Sequence, residues 1–416
     1  MPLLEKLQSW FAPIKPLSRE MFHYQTPPDA AQQYRLHLRV EEDGRGLLVV
    51  NAATVLHLNQ TATEYARLLI QEASEEEAAR AMGQRYRVSR TQACADYRRL
   101  RDHILTLSIS TDLCPVTYLG LERVEPFSAE TSAPYRVDLA LTYRVDEAGT
   151  LDPEARQRVD RELTTEEWQA GLRVLWEVGV PHVCFTGGEP TLREDLVELV
   201  RYAEEQGLVT GLLTDGRRLR DREFLDELLL AGLDHLQITL ASHRPEVHDS
   251  IVGREGAWEE AEAGLRNALD GDVYVVVHIV VVPANAGSVA ETMVYLAELG
   301  VPAVALSSPL RAASEGEGED ERLQLQSALE EAQDAAHEHG LTLVWNLAAP
   351  YSHVNPVEME AGLSPEQVVR QHLYVEPDGD VLPAQGYNVV LGNLLRDPWE
   401  AIWDHPERKH LGGSDS

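Results

Sequence analysis

Apolar runs and amphipathic stretches alternate along the chain from Tyr135 to about Asn346. Strands and helices that alternate at a spacing of about 30 residues are typical of βα units in a parallel sheet. The six main apolar runs are VDLALTY (137–143), HVCFTG (182–187), VTGLLT (209–214), HLQITLA (235–241), VYVVVHIVVV (273–282) and AVALSS (303–308). A seventh run, LTLVWNL, follows at 341–347. Six units are too few for a closed eight-fold barrel, so the pattern predicts the α/β class and a partial (β/α)6 TIM-like barrel.

Residues 30–110 have a different pattern, with short strands followed by three helices. The run YRLHLRV alternates polar and apolar residues, EEDGRG reads as a turn, and two short apolar strands follow it. Thr61 and Glu64 have the spacing of a capping box, and further helices are predicted from about Ser74 and Ser89. The order predicts a small winged-helix-like α+β domain.

The remaining segments complete the predicted domain organisation. Residues 1–29 read as an amphipathic arm, and residues 111–134, which include several prolines, read as a linker. The barrel is assigned to residues 135–346. In the C-terminal extension, 347–416, the turn Pro377-Asp378-Gly379 predicts a hairpin.

Composition and charge exclude several classes of partner. The formal net charge of −33 opposes binding to a phosphate backbone, so we expect no nucleic acid partner. No apolar run approaches the ~20 residues of a membrane span, and the N-terminus lacks the pattern of a signal peptide, so we expect a cytoplasmic protein without membrane contact. The three cysteines, Cys94, Cys114 and Cys184, form no CxxC or CxxxC pair.

The segment FTGGEPTLREDL (185–196) closes the second predicted barrel strand and opens a helix. Its two glycines allow a ligand to approach the backbone closely, and Glu189 with nearby amides can hold an ammonium and a carboxylate group. A plain strand-to-helix turn is the alternative interpretation of the same residues.

In this context the chain resembles the radical SAM superfamily, in which a GGEP motif on the second strand binds the amino group of S-adenosylmethionine. LLTDGRRL (212–219), QITLASHRPEVHDSIVG (237–253) and VVPANAG (281–287) resemble the segments of the third, fourth and fifth strands of that family. The resemblance implies a candidate S-adenosylmethionine site formed by Gly187, Gly188, Glu189, Pro190, Thr214, Thr239 and Asn285.

Both flanks of the barrel also resemble parts of peptide-modifying members of this superfamily. Residues 30–110 are similar to the PQQ-synthesis-chaperone type of recognition domain, which binds the leader of a precursor peptide as an added β-strand. The segment YVEPDGDVLPAQGYN…LGNLLRDPWEAIW resembles the start of a SPASM extension. The resemblance implies modification of ribosomally made peptides (RiPP type) and a leader or precursor peptide as partner.

The sequence departs from the family at the cysteine ligands. After Leu141-Thr142-Tyr143-Arg144, the three positions of the CxxxCxxC loop hold Val145, Gly149 and Asp152, and Ala384 stands where the extension has a ligand cysteine. Iron–sulfur clusters are held by thiolates, which these residues lack. We therefore expect no cofactor, in particular no [4Fe-4S] cluster, no metal site and no catalytic residues, with residual S-adenosylmethionine binding left open.

Two functional hypotheses follow. In the first, the chain is a catalytically silent relative that binds or scaffolds a precursor peptide, with an intact radical SAM paralogue as a further partner. In the second, it is an enzyme that uses S-adenosylmethionine or another ligand in the same barrel by cluster-independent chemistry. No ordered nucleophile–base set is recognisable in the sequence to support the second hypothesis. The sequence also predicts that Cys184 is a small buried residue and that the pair His248-Asp249 is structural.

Overall fold

A computed structural model describes residues 15–27, 29–51, 54–109, 131–145, 159, 161–307, 319–344, 372–385, 387 and 389–411. The chain divides into two compact units, Met1–Ser132 and Ala133–Ser416.

The N-terminal unit contains an antiparallel sheet in the order β1-β2-β3-β4. Its strands are β1 (Glu20–Gln25), β2 (Arg35–Val40), β3 (Gly46–Val50) and β4 (Thr54–Leu58). Three helices follow, α1 (Gln60–Ile70), α2 (Glu75–Arg85) and α3 (Arg90–Ile109). The sheet and the helices share an apolar core that includes Leu38, Leu48, Leu56, Ala66 and Ile104.

Capping side chains set the starts of the first two helices. The Asn59 side chain accepts a hydrogen bond from the amide of Ala62, so Asn59 and not Thr61 caps α1. The predicted start of α2 is confirmed, because Ser74 and Glu77 form a reciprocal capping box there.

The second unit is built on one sheet, which has ten strands among the described residues, in the order β11-β10-β9-β8-β7-β6-β5-β12-β13-β14. The strands are β5 (Arg136–Thr142), β6 (His182–Gly187), β7 (Val209–Thr214), β8 (His235–Thr239), β9 (Tyr274–Val280), β10 (Ala303–Ser307), β11 (Thr342–Leu343), β12 (His372–Val375), β13 (Asp380–Leu382) and β14 (Gly392–Asn393). Strands β5 to β11 are parallel neighbours. The predicted α/β partial barrel is confirmed, and the unit that precedes it contains an antiparallel sheet.

Helices connect the parallel strands. They are α4 (Thr165–Glu177), α5 (Leu196–Gln206), α6 (Arg222–Leu230), α7 (Pro245–Val252), α8 (Ala257–Leu269), α9 (Pro283–Ala286), α10 (Val289–Leu299) and α11 (Glu319–His339), and the tail adds α12 (Trp399–Trp403) and α13 (Pro406–Leu411). No described helix is long and apolar enough to cross a membrane.

The tail extends the barrel sheet, which the sequence pattern did not predict. Strand β12 pairs with β5 in parallel, with Tyr374 opposite Asp138 and Val375 opposite Leu139. The predicted hairpin is confirmed, because β12 and β13 pair antiparallel around the Pro377–Gly379 turn. The first barrel strand is therefore flanked by β6 on one side and by the tail on the other.

Alternation along the strands separates an apolar face from a more polar one. Val137, Leu139 and Leu141 of β5 belong to the main apolar core, together with residues of the surrounding helices. Arg136 and Asp138 alternate with them on the other face and form a buried ion pair with Nε–Oδ1 at 2.9 Å.

Candidate functional site

The GGEP turn is bonded to the end of β5. The amide of Gly188 donates to the carbonyl oxygen of Thr142 at 2.7 Å, and the amide of Glu189 donates to that of Arg144 at 2.8 Å. A Cβ on Gly187 would lie 2.2 Å from the Thr142 oxygen, and one on Gly188 would lie 2.2 Å from the Arg144 oxygen. Gly187 also has a φ of +124°, so glycine is required here by close backbone approach.

The Glu189 carboxylate is buried and holds two strand ends together. Its Oε1 atom accepts from the Thr191 amide at 3.0 Å, the Thr191 hydroxyl at 2.6 Å and the Thr214 hydroxyl at 2.8 Å. Its Oε2 atom accepts from the Asp215 amide at 2.8 Å. Burial, and secondly the nearby Asp215 charge, raise the pKa of Glu189 to about 7. The sequence predicts that Glu189 holds a ligand ammonium, and the structure adds that its carboxylate joins two strand ends.

The other predicted site residues lie at neighbouring strand ends. The Thr214 hydroxyl also accepts from the Gly216 amide at 3.1 Å. Asn285 donates to the carbonyl oxygens of Ala241 at 2.7 Å and Val280 at 2.9 Å. Pro190 is buried at the start of a 3-10 turn, and Thr239 is half-buried at the end of β8.

This arrangement defines what the predicted residues can do. Glu189, Thr214 and Asn285 join adjacent strand ends and keep their shape, because their polar side-chain atoms are engaged within the protein. Gly187 and Thr239 of the same set are half-buried at the carboxyl ends of their strands, where binding sites of barrel proteins lie.

His248 and Asp249 hold the segment after β8 in place. His248 Nδ1 accepts from the amide of Ala241 at 3.1 Å, and burial lowers the pKa of His248. The Asp249 carboxylate accepts from the amides of Gly256 at 2.6 Å and Trp258 at 2.8 Å, at the start of α8. These contacts support the structural interpretation of the pair.

Cys184 is buried on β6 beside Leu213, as the sequence predicted. Burial, followed by the Asp138 charge, raises the pKa of its thiol to about 12. A thiol that stays protonated is a poor nucleophile and a poor metal ligand.

A cavity of about 230 Å³ lies beside the carboxyl end of β5. It is lined by Tyr143, Arg144, Val159, Arg161, Glu162 and Pro377. The Tyr143 hydroxyl donates to Glu376 at 2.8 Å, and burial raises the pKa of Tyr143. This contact joins residues 233 positions apart, so no local sequence pattern predicts it.

A second polar pair that the sequence analysis missed lies on β9 and β10. His278 Nε2 and Ser307 Oγ are 2.8 Å apart, and both residues are buried. Both lie near the carboxyl ends of adjacent parallel strands, and Thr239 is opposite His278 on β8. Strand periodicity would have placed both side chains on the polar face, but the register that joins them is tertiary.

The predicted cluster positions are only partly described. Val145 and Ala384 are half-buried, while Gly149 and Asp152 lie outside the described residues. Within the described part of the chain, no group of three or more His, Cys, Asp or Glu residues is arranged to hold a metal ion. The described cysteines, Cys94 and Cys184, lie in different units. Among the described residues, cysteines are therefore not grouped as they would be around an iron–sulfur cluster. The GGEP turn, in contrast, is fully formed.

The partial barrel defines an open α/β barrel protein with a glycine-rich turn at the carboxyl ends of its strands. Sequence comparison adds the family. The profile of the radical SAM superfamily matches residues 144–296, and that of an iron–sulfur cluster-binding domain, SPASM, matches residues 367–415. The chain is therefore similar to the radical SAM superfamily over residues 144–296, and to PqqA peptide cyclases over part of its length.

Individual relatives agree with this assignment. A PqqA peptide cyclase of Bradyrhizobium diazoefficiens is 45% identical over 106 residues, which are 26% of this chain and 28% of that protein. The aligned stretch is thus less than two thirds of the relative's length. Streptococcus suis SuiB bound to S-adenosylmethionine has a similar fold, with a TM-score of 0.60 at 15% identity over 91% of this chain and 89% of SuiB. SuiB bound to its precursor peptide SuiA gives 0.60 at 14% identity, over 96% and 91% of the two chains.

The expectation that the protein has no cofactor is wrong. Both matching profiles describe domains of S-adenosylmethionine and iron–sulfur chemistry, and SuiB was solved with S-adenosylmethionine bound. The expectation rested on four sequence positions, whereas the profiles match long stretches around them. S-adenosylmethionine and iron–sulfur clusters are therefore the cofactors to which the two matching domains point.

Proposed function

We propose that this protein acts in the modification of a ribosomally made peptide, as the partner that binds the leader or precursor peptide. In this proposal it performs no radical chemistry of its own and works beside an intact radical SAM paralogue. The observation that carries the proposal is a sheet with an accessible edge in the N-terminal unit, on a chain whose loop after β5 has no thiol at the family's three cysteine positions.

Strand β4 is the edge that we assign to the peptide. Among the described residues it pairs with β3 on one side and with no strand on the other, and its Val55 and His57 side chains are exposed. Leu56, between them, is buried in the core of the unit. An added strand would pair with the β4 backbone, and its alternate side chains would contact Val55 and His57.

The relatives support a peptide as the partner. One is named as a cyclase of the peptide PqqA, and SuiB was solved with a precursor peptide bound. The net charge of −33 would favour a basic leader sequence.

Peptide binding is tested with synthetic peptides encoded by short reading frames beside the gene, measured by fluorescence anisotropy. Val55→Asp introduces a charge at the edge and should weaken binding about ten-fold or more. Leu230→Asp, which alters an exposed leucine of α6, is the matched control and should have no effect. If none of the peptides binds, or if both variants bind like the wild type, the proposed role is wrong.

The absence of radical chemistry needs a separate test. The proposal that the protein performs no radical chemistry rests on Val145, Gly149 and Asp152, which stand at the family's three cysteine positions. After anaerobic reconstitution and reduction, we expect no 5′-deoxyadenosine from the protein alone. Deoxyadenosine formed in stoichiometric or larger amounts would show that the protein is itself a radical enzyme. Co-purification with the neighbouring paralogue tests the scaffolding role.

One observation supports the second candidate function, cluster-independent catalysis in the barrel. The His278–Ser307 pair has the distance of a general base and a nucleophile, at 2.8 Å. A fluorophosphonate probe reports such activation, since Oγ bonds to phosphorus, fluoride leaves and the proton passes to the base. Under this alternative, Ser307 would be labelled in the wild type and not in His278→Asn. An unlabelled Ser307 would leave peptide binding as the better-supported function.

A further inference from the structure

Two consecutive residues of the tail contact both ends of the segment that joins β5 to α4. The Glu376 carboxylate accepts from the Tyr143 hydroxyl at 2.8 Å, just after β5. The Pro377 carbonyl oxygen accepts from the Leu163 amide at 2.7 Å, just before α4. The tail turn therefore contacts the chain just after the end of β5 and again just before the start of α4.

The hydrogen bond between Tyr143 and Glu376 is buried, so its loss would cost more than the loss of an exposed one. Glu376 is 1% exposed and Tyr143 is 9% exposed. A buried carboxylate that loses a hydrogen-bond donor pays a desolvation cost that an exposed one does not. The position of Tyr143 is therefore tied to that of the tail.

The backbone around Tyr143 also holds the GGEP turn. Its neighbours Thr142 and Arg144 accept hydrogen bonds from the amides of Gly188 and Glu189. A short backbone segment thus has the tail on one side and the GGEP turn on the other. The Arg193 side chain strengthens the same joint, because its Nη1 donates to the carbonyl oxygens of Leu141 at 3.1 Å and Leu163 at 3.2 Å.

We propose that Glu376, acting through Tyr143, is a positioning residue for the GGEP turn. In this arrangement the tail hairpin fixes the Thr142–Arg144 backbone, and that backbone fixes the two glycine-turn amides. This positioning role of Glu376 does not depend on peptide binding, so it can be tested independently of the proposed function.

Hydrogen–deuterium exchange of the full-length protein tests this coupling. Tyr143→Phe removes only the hydroxyl, and it should speed exchange of the Gly188 and Glu189 amides roughly ten-fold. Glu376→Gln keeps an oxygen acceptor for the Tyr143 hydroxyl, so its exchange at these amides should stay close to that of the wild type. Glu376→Leu removes the acceptor and should speed exchange as much as Tyr143→Phe does. The double variant Tyr143→Phe/Glu376→Leu should show no further increase, because both changes break one contact.

The chain offers a matched control. Tyr295 donates to Glu262 at 2.9 Å, so Tyr295→Phe breaks the same kind of contact between α10 and α8. It should leave exchange at Gly188 and Glu189 unchanged. The proposal is overturned if Tyr143→Phe does not speed exchange at these amides, or if Tyr295→Phe speeds it equally, which would indicate general destabilisation.

Discussion

The hydroxyl of Thr214 lies 2.8 Å from Oε1 of Glu189 and donates a hydrogen bond to it across the carboxyl ends of β7 and β6. The next amide, that of Asp215, donates to the other carboxylate oxygen. Parallel strands whose ends are joined in this way keep the turn between β6 and α5 at a fixed distance from β7. The glutamate of the GGEP motif is thus a structural bridge between two strand ends.

Replacing Thr214 with valine should break this bridge. The substitution keeps the shape of the side chain but removes a donor to a buried carboxylate, so we expect a loss of about 1.5–3 kcal/mol in the free energy of unfolding. Thr239→Val is the control, because Thr239 is half-buried at the adjacent strand end. Urea unfolding should distinguish the two. Equal losses would contradict a specific role for the bridge.

Adding a methyl group at Gly188 should be strongly destabilising. Its Cβ would lie 2.2 Å from the carbonyl oxygen of Arg144, so the turn and the end of β5 must separate. We expect Gly188→Ala to cost more than about 2 kcal/mol. Gly287→Ala, where nothing lies within 4 Å of the added atom, should change stability by less than about 1 kcal/mol. A tolerated Gly188→Ala would show that the close approach is not required.

Asn285 should be more important for stability than its small size suggests. Its amide group donates to two carbonyl oxygens, and its Oδ1 accepts from the Val282 amide at 2.8 Å. Asn285→Ala removes one buried and two part-buried hydrogen bonds, and we expect a loss of about 3 kcal/mol. Asn267 also donates to two carbonyl oxygens but is half-buried, so Asn267→Ala should cost about 1 kcal/mol. Thermal unfolding of both variants checks the ranking.

Acidification should destabilise the barrel through two interior histidines. Burial, and then the charge of Arg136, lower the pKa of His235 to about 4 and that of His372 to about 3. In the unfolded chain a histidine titrates near 6.5, so as the pH falls below that value the unfolded state binds protons first. Stability conferred by the neutral rings is therefore complete above about pH 6.5 and is lost as the pH falls toward the folded-state values.

His372→Gln should reduce this pH dependence. Between about pH 7 and about pH 4.5, the wild type should lose roughly 1–2 kcal/mol more than the variant, a range set below the full shift because His372 as a whole residue keeps some solvent exposure. His339→Gln, which alters an exposed histidine of α11, should follow the wild type. Urea midpoints at the two pH values provide the comparison. If the wild type and His372→Gln lose the same stability between the two pH values, His372 is not a source of the pH dependence.

Much of the barrel was predictable because its signals are local. The apolar runs are buried strands whose alternate residues face the helices, and their spacing by helices specifies a parallel sheet. The hairpin of the tail was predictable from the turn Pro377–Gly379. The cap of α1 was misassigned, since Asn59 and Thr61 are both capping residues and only the backbone geometry decides between them.

The site could be predicted only in part, because it depends on contacts between distant residues. Glu189 and Asn285 were predicted to contact a ligand, and the structure adds that their side chains join strand ends. The inference from the cysteine positions to the absence of a cofactor failed for a related reason. It weighed a few positions against a family signal spread over the barrel and the tail.

The sequence by itself determined the order of strands and helices, the place of the GGEP turn and the chemical character of the loop after β5, because periodicity, glycine and cysteine content are local properties. Only the tertiary structure decided that β12 lies beside β5, that Tyr143 meets Glu376 and that His278 meets Ser307. Those contacts depend on strand register and on the pairing of segments far apart in the chain. No local pattern encodes them, because burial and hydrogen bonding select them only when the whole sheet has formed.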